Sequence, residues 1–203
     1  MKKVVLLFAI VAGFFAIYWF QFRDKKSVPQ APRQQALTVS GHNAIFNGKI
    51  DSLLQNYFEI KTALVETDSV KAKLANNKLV EFLTRINIEE LKKDTSGIFE
   101  SAAMFLNDIK ANATNLATQQ TITEMRQDFK SISENLYPFL KTIHYEGKIL
   151  YWQNCPMAFG ENNGANWISN SEEIINPYMG KHHPEYKGTM LHCGEVKDSI
   201  KVQ

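Results

Sequence analysis

Thiols, thioethers and imidazoles crowd the last quarter of the chain, as Cys155, Met157, His182, His183, Met190, His192 and Cys193. They include both cysteines and three of the five histidines. Such donors select soft monovalent ions, Cu(I) or by analogy Ag(I), whereas the same two cysteines joined in a disulfide lose most of that chemistry. In an extended chain residues two apart face one side, so Cys155 and Met157 present both sulfurs together, with Pro156 fixing the backbone between them. Met190 and His192 stand in the same relation, with Cys193 adjacent. Zinc fits less well, because the cysteines lie 38 positions apart and form no Cys-x-x-Cys pair. His182-His183-Pro184-Glu185 offers His-x-x-Glu, but Pro184 breaks a helix and no third ligand follows at metalloprotease spacing.

Residue chemistry leaves three readings of this region open. The first is a soft-metal site. In the second, Cys155 and Cys193 form a disulfide; no metal is then held, and closing so long a loop contributes on the order of 4 kcal/mol in the chain-entropy picture. The third is a reactive thiol, for which the sequence places no activating base beside either cysteine.

The elements that must position these residues are mostly helical. Ile50, Leu53, Leu54, Tyr57, Ile60 and Leu64 recur at helical spacing, as do Val70, Leu74, Leu79, Phe82, Leu83 and Ile86 behind an N-cap at Asp68 or Ser69. A third stripe runs through Ile98, Phe105, Ile109 and Leu116. The fourth, from Ile122 to Ile143, opens on the capping box Thr121-x-x-Glu124, and Pro138 is expected to kink or open it near its end. Met104 and Met125 read as core filler on these stripes. Asp94-Thr95-Ser96-Gly97 only resembles the aspartic-protease triplet, since the inserted serine breaks it, and the position suits a helix N-cap. Four amphipathic helices with short connections predict a mainly α fold, an antiparallel four-helix bundle. After Gly147 the pattern changes, and Lys148 to Gln153 and Thr189 to Val196 read as extended segments that can pair and bring Cys155 beside Cys193. The fold class is therefore a helical bundle with a small C-terminal β element over about residues 148–197.

Ahead of that domain, residues 1–26 read as a membrane anchor or signal segment, with no charged residue from Val4 to Phe20. Aromatics at Tyr18, Trp19 and Phe20 suit a membrane interface better than a cleavage site, and Arg23-Asp24-Lys25-Lys26 suits a stop just beyond it. Residues 27–41, with Pro29 and Pro32, read as a linker, and the folded domain as 42–203. The leader takes five of the 23 basic residues and one of the 21 acidic ones, which turns the net charge of +2 into −2. A near-neutral domain without a basic stripe excludes the footprint of a nucleic-acid binder.

The ordered string Cys155-Pro156-Met157-Ala158, Gly164-Ala165-Asn166-Trp167-Ile168-Ser169, Asn176-Pro177-Tyr178-Met179-Gly180, Met190-Leu191 and Cys193-Gly194-Glu195-Val196 resembles the C-terminal signature of a bacterial family. It is the family numbered thirty-three forty-seven among domains of unknown function, and the resemblance extends over roughly residues 45–200. Members of that family stand alone behind an export signal or are appended to adaptor subunits like those of copper and silver efflux pumps. The resemblance implies an exported domain and supports Cys155, Met157, Met190 and Cys193 as motif residues. It implies that His182 and His183 lie in extra sequence and that His192 has no fixed counterpart.

The expectation is thus a non-enzymatic, extracytoplasmic accessory domain that binds Cu(I) or Ag(I). It is anchored on the periplasmic side of the inner membrane, or free in the periplasm if the leader is cleaved, and its partners are the membrane and components of metal efflux. The alternative is an interaction module of the cell envelope stapled by Cys155–Cys193.

Overall fold

The computed structural model describes residues 41–94 and 96–201. The expected leader, residues 1–26, and the linker up to residue 40 lie outside the described residues. Among the described residues four α-helices are followed by a three-stranded sheet. Helix α1 spans Ala44–Val65, α2 Ser69–Arg85, α3 Ile98–Thr118 and α4 Ile122–Thr142, with a short 3-10 helix, Glu89–Lys93, before α3. Among the described residues no helix is long and apolar enough to cross a membrane.

The helix starts follow from local chemistry. Asn43 Oδ1 accepts from the Phe46 N–H at 2.9 Å and Asp68 Oδ1 from the Lys71 N–H at 2.9 Å, each satisfying an orphan donor of the first turn. Thr121 and Glu124 form the reciprocal capping box. Helix α3 differs: it starts at Gly97, whose φ of 81° only a glycine adopts freely, and no side chain caps it. Asp94, expected near that cap, accepts instead from the Ser96 N–H in a turn ahead of the helix. Three-residue connections at 66–68 and 119–121 make α1/α2 and α3/α4 helical hairpins.

The predicted stripes from Ile50 to Leu64 and from Met125 to Ile143 are buried. Three residues depart from expectation. Val70 and Leu74 are 67% and 60% exposed on α2, and Met104 is 56% exposed on α3. Helical periodicity marks these positions as apolar, but it does not supply a neighbour to cover them. Pro138 has no N–H to donate to the carbonyl four residues before it, yet α4 continues through it to Thr142.

The sheet has the order β2-β1-β3, with β1 Leu150–Cys155, β2 Ala165–Ser169 and β3 Glu195–Ile200, both pairings antiparallel. A hydrogen-bonded relay fastens it to the helices. The Ile168 N–H of β2 donates to the Tyr57 hydroxyl at 3.0 Å; Tyr57 donates to Ser133 Oγ at 2.7 Å, and Ser133 to the Phe129 carbonyl at 2.8 Å. Tyr57 also stacks on Phe129 with centroids 4.9 Å apart, so α1, α4 and β2 meet at one buried hydroxyl. On the other side Tyr137 stacks on Trp152 of β1 and donates to Asp198 of β3 at 2.6 Å.

Tyr57→Phe keeps the ring and its stacking but leaves the buried Ile168 N–H without an acceptor. The expected cost is about 2 kcal/mol, because an unpaired buried donor loses its full desolvation energy. Urea unfolding should show it as a lower midpoint at unchanged slope.

Candidate functional site

Both cysteines arrive at one place by different routes. Cys155 is the last residue of β1, pairs with Ala165 of β2 and is wholly buried. Cys193 is not on a strand as its surroundings predict. Its N–H donates to the Met190 carbonyl at 3.0 Å, closing a turn, and β3 begins only two residues later. The two sulfurs nevertheless lie 3.4 Å apart, and both thiols are free.

The flanking residues also turn where extended chain was expected. After Cys155 the backbone leaves the sheet at Pro156, and the Met157 carbonyl accepts from the Gly160 N–H at 3.2 Å. The alternation argument for Cys155/Met157 and for Met190/His192 therefore fails. Tight turns take its place, and they keep Met157 and Met190, both partly buried against the core, next to their cysteines in the chain.

An array of buried groups holds the Cys193 turn against β1. Asn176 is fully buried, accepts from the N–H groups of Tyr178 at 2.8 Å and Met179 at 3.1 Å, and donates to the Cys193 carbonyl at 2.8 Å. Its own N–H reaches the Leu191 carbonyl at 2.9 Å. The Tyr178 hydroxyl donates to the Asn166 carbonyl at 2.5 Å. At Gly194, with φ of 143°, a Cβ would stand 2.6 Å from the Asn154 carbonyl oxygen, so only glycine lets the chain pass that close to β1.

The same loop is bolted to the helices by Arg126, which is 3% exposed and has no carboxylate partner among the described residues. Its Nε donates to the Pro177 carbonyl at 2.9 Å, and its Nη2 to the Leu64 carbonyl at 3.1 Å and to Thr67 Oγ1 at 3.3 Å. The cation thus sits at the C-terminal end of α1, where the helix dipole favours it, though burial still lowers its pKa to about 10. At Gly180, with φ of 60°, a Cβ would come within 2.6 Å of that guanidinium.

The histidines do not complete a ligand set with the thiols. His182 is exposed. His183 Nδ1 accepts from the N–H groups of Glu185 and Tyr186, both at 3.3 Å, and its ring stacks on Tyr186, so it organises its own loop. His192 is exposed and its Nδ1–H donates to the Ile174 carbonyl at 2.8 Å. Among the described residues no three His, Cys, Asp or Glu side chains gather as a metal site. The donor set that remains is sulfur alone, two touching thiols with two thioethers nearby in sequence, which suits a soft ion and not zinc.

Burial pushes the Cys193 thiol up to about 11, with its hydrogen bond to Cys155 and that neighbour's charge adding to the effect. Cys193 is therefore a protonated thiol at neutral pH, the opposite of what an attacking nucleophile needs. Sequence reasoning registered Asn176, Tyr178, Gly180 and Gly194 only as motif letters and missed Arg126 altogether. Their exact identities carried the signal, whereas an arginine beside a helical stripe ordinarily reads as surface.

Over residues 53–148 the chain matches a family model described as "Protein of unknown function (DUF3347)". The matched segment begins within α1, takes in α2, α3 and α4 and ends before β1, so the sulfur-bearing motifs, which carried the resemblance in sequence, lie beyond it. No curated protein matches the chain, and no solved structure does.

Proposed function

With residues 53–148 matched to that family, we propose that the chain is a non-enzymatic, membrane-tethered domain on the periplasmic side of the inner membrane that binds one soft monovalent ion, Cu(I) or Ag(I). Cys155 and Cys193 are its principal ligands and Met157 and Met190 its auxiliary ones, and the domain serves metal efflux or homeostasis as an accessory. The helices, as an antiparallel bundle, act as the scaffold. The observation that carries this reading is the 3.4 Å contact between a buried and a partly exposed thiol, each with a methionine in the adjoining turn. Thiolate and thioether are the donors that prefer such ions, and two or three of them suffice.

One observation favours a second reading. Thiols already in contact need little movement to form a bridge, and an oxidising compartment favours one, which would make the domain a stapled interaction module without a metal.

Thioether substitution tests the auxiliary ligands. Met157→Leu and Met190→Leu conserve volume and remove one soft donor each. In competition titrations of the reduced chain with a Cu(I) chelator, each is expected to weaken binding about tenfold, equivalent to about 1.4 kcal/mol. Unchanged affinity in both removes the thioethers from the site.

A further inference from the structure

A second site lies between α1 and α2. Lys61 is only 8% exposed, its ammonium donates to Ser169 Oγ at 3.2 Å, and it stands 5.3 Å from the centre of the Phe58 ring. No carboxylate among the described residues lies within 4 Å of it. The Ser169 oxygen also accepts from the Ser171 N–H, and among the described residues nothing accepts the serine's own proton. A buried cation and a spare hydroxyl donor therefore stand together without an anion. Burial lowers the lysine's pKa to about 8, which still leaves it a cation at neutral pH.

Lys61 opens onto a cavity of about 640 Å³, within the range of small-molecule sites. Phe58, Ala63, Leu74 and Ala75 form its apolar part, beside the uncharged polar side chains of Gln55, Thr62 and Asn170. The charges at its rim neutralise one another: Glu59 holds Lys78 at 2.9 Å, Glu66 holds Lys181 at 2.6 Å, and Lys71 is engaged by Asp68 at 3.0 Å. Lys61 is the lining charge left for a ligand. Leu74, 60% exposed on α2, stands at its apolar edge.

We propose that this cavity binds a small amphipathic carboxylate, its headgroup on Lys61 and its aliphatic or aromatic body along Phe58, Leu74 and Ala75. A carboxylate fits because a single buried ammonium neutralises a single negative charge, and the other lining charges are already paired with one another. The site is separate from the thiol pair and does not depend on metal binding.

Octanoate is the probe, titrated into the full chain in an uncharged detergent, with 1-octanol and acetate as the arms lacking charge and body. Binding is read as protection of Lys61 from trace acetylation, quantified by peptide mass spectrometry with exposed Lys78 as the internal reference. Octanoate is expected to slow Lys61 acetylation about tenfold at saturation, as an ion-paired amine requires, and to leave Lys78 unchanged. Neither control should reproduce this. In calorimetry Lys61→Met should abolish octanoate binding, and Leu74→Gln, at an exposed position that folding does not use, should weaken it about threefold through lost apolar contact. Equal protection by 1-octanol, equal protection of Lys78, or undiminished binding in Lys61→Met would overturn the proposal.

Discussion

Cys155→Ser is expected to lower the Cu(I) affinity of the reduced chain by at least about 100-fold. Four-ligand structural metal sites yield 10–16 kcal/mol in all, so one thiolate is worth roughly 3 kcal/mol, or about two decades of affinity. The hydroxyl of serine is a hard donor that a soft ion does not replace sulfur with. Cys193→Ser should have a similar effect, since the two sulfurs face each other across 3.4 Å. The pH dependence has a definite sign. The Cys193 thiol is held protonated up to about 11, so the ion must displace a proton everywhere in the neutral range. Affinity in the wild-type protein should accordingly rise with pH, by about tenfold per unit for the Cys193 proton released, and the Cys193→Ser variant should lose that contribution to the slope. A chelator competition at pH 6, 7 and 8 reads both effects. Serine variants that bind as tightly as the wild type would move the site away from the cysteines.

Asn176→Ala should destabilise the domain by about 3 kcal/mol, because it removes the acceptor for two buried N–H groups and the donor to a third group in one step. For a domain of this size that corresponds to a fall of about 10 °C in Tm. The effect should reach the thiols as well. The amide donates to the Cys193 carbonyl at 2.8 Å, so its loss frees the turn that holds the second sulfur against the first. Asn176→Asp separates the two roles. It keeps oxygens for the Tyr178 and Met179 N–H groups but sets a carboxylate against the Cys193 carbonyl. The expected order of Cu(I) affinity is therefore wild type above both variants, even at temperatures where all three are folded. An Asn176→Ala protein with wild-type stability would show that the array does not hold the turn.

How much of this was legible in the sequence depends on how local the causes are. The stripe from Ile50 to Leu64, the Asp68 cap and the Thr121/Glu124 box are set within a few residues, and each reads directly as structure. The meeting of Cys155 and Cys193 was also legible, because two strand-like segments of one small domain are most easily paired. What sequence reasoning placed wrongly was the backbone around them. The Met190–Cys193 turn is held by Asn176, 17 residues before Cys193, and by the close passage of Gly194 against Asn154, and neither constraint leaves a periodic trace. Lys61 and Arg126 escaped for a related reason. A cation in a helix reads as solvent-facing, and only the packed neighbours reveal that these two are enclosed. The exposure of Val70 and Leu74 is the converse case, an apolar pattern on a face that no described element covers.

The thiol pair as a soft-metal site is best tested on the wild-type chain taken from its own compartment. Free thiols are counted first in unfolded, unreduced protein, and the folded, reduced chain is then titrated with Cu(I) against a chelator of known affinity. The account predicts two titratable thiols, whether free or released on removal of a metal, and one Cu(I) bound per chain well below micromolar. No free thiol, together with no Cu(I) binding tighter than micromolar after reduction, would contradict it and leave Cys155–Cys193 as a structural bridge.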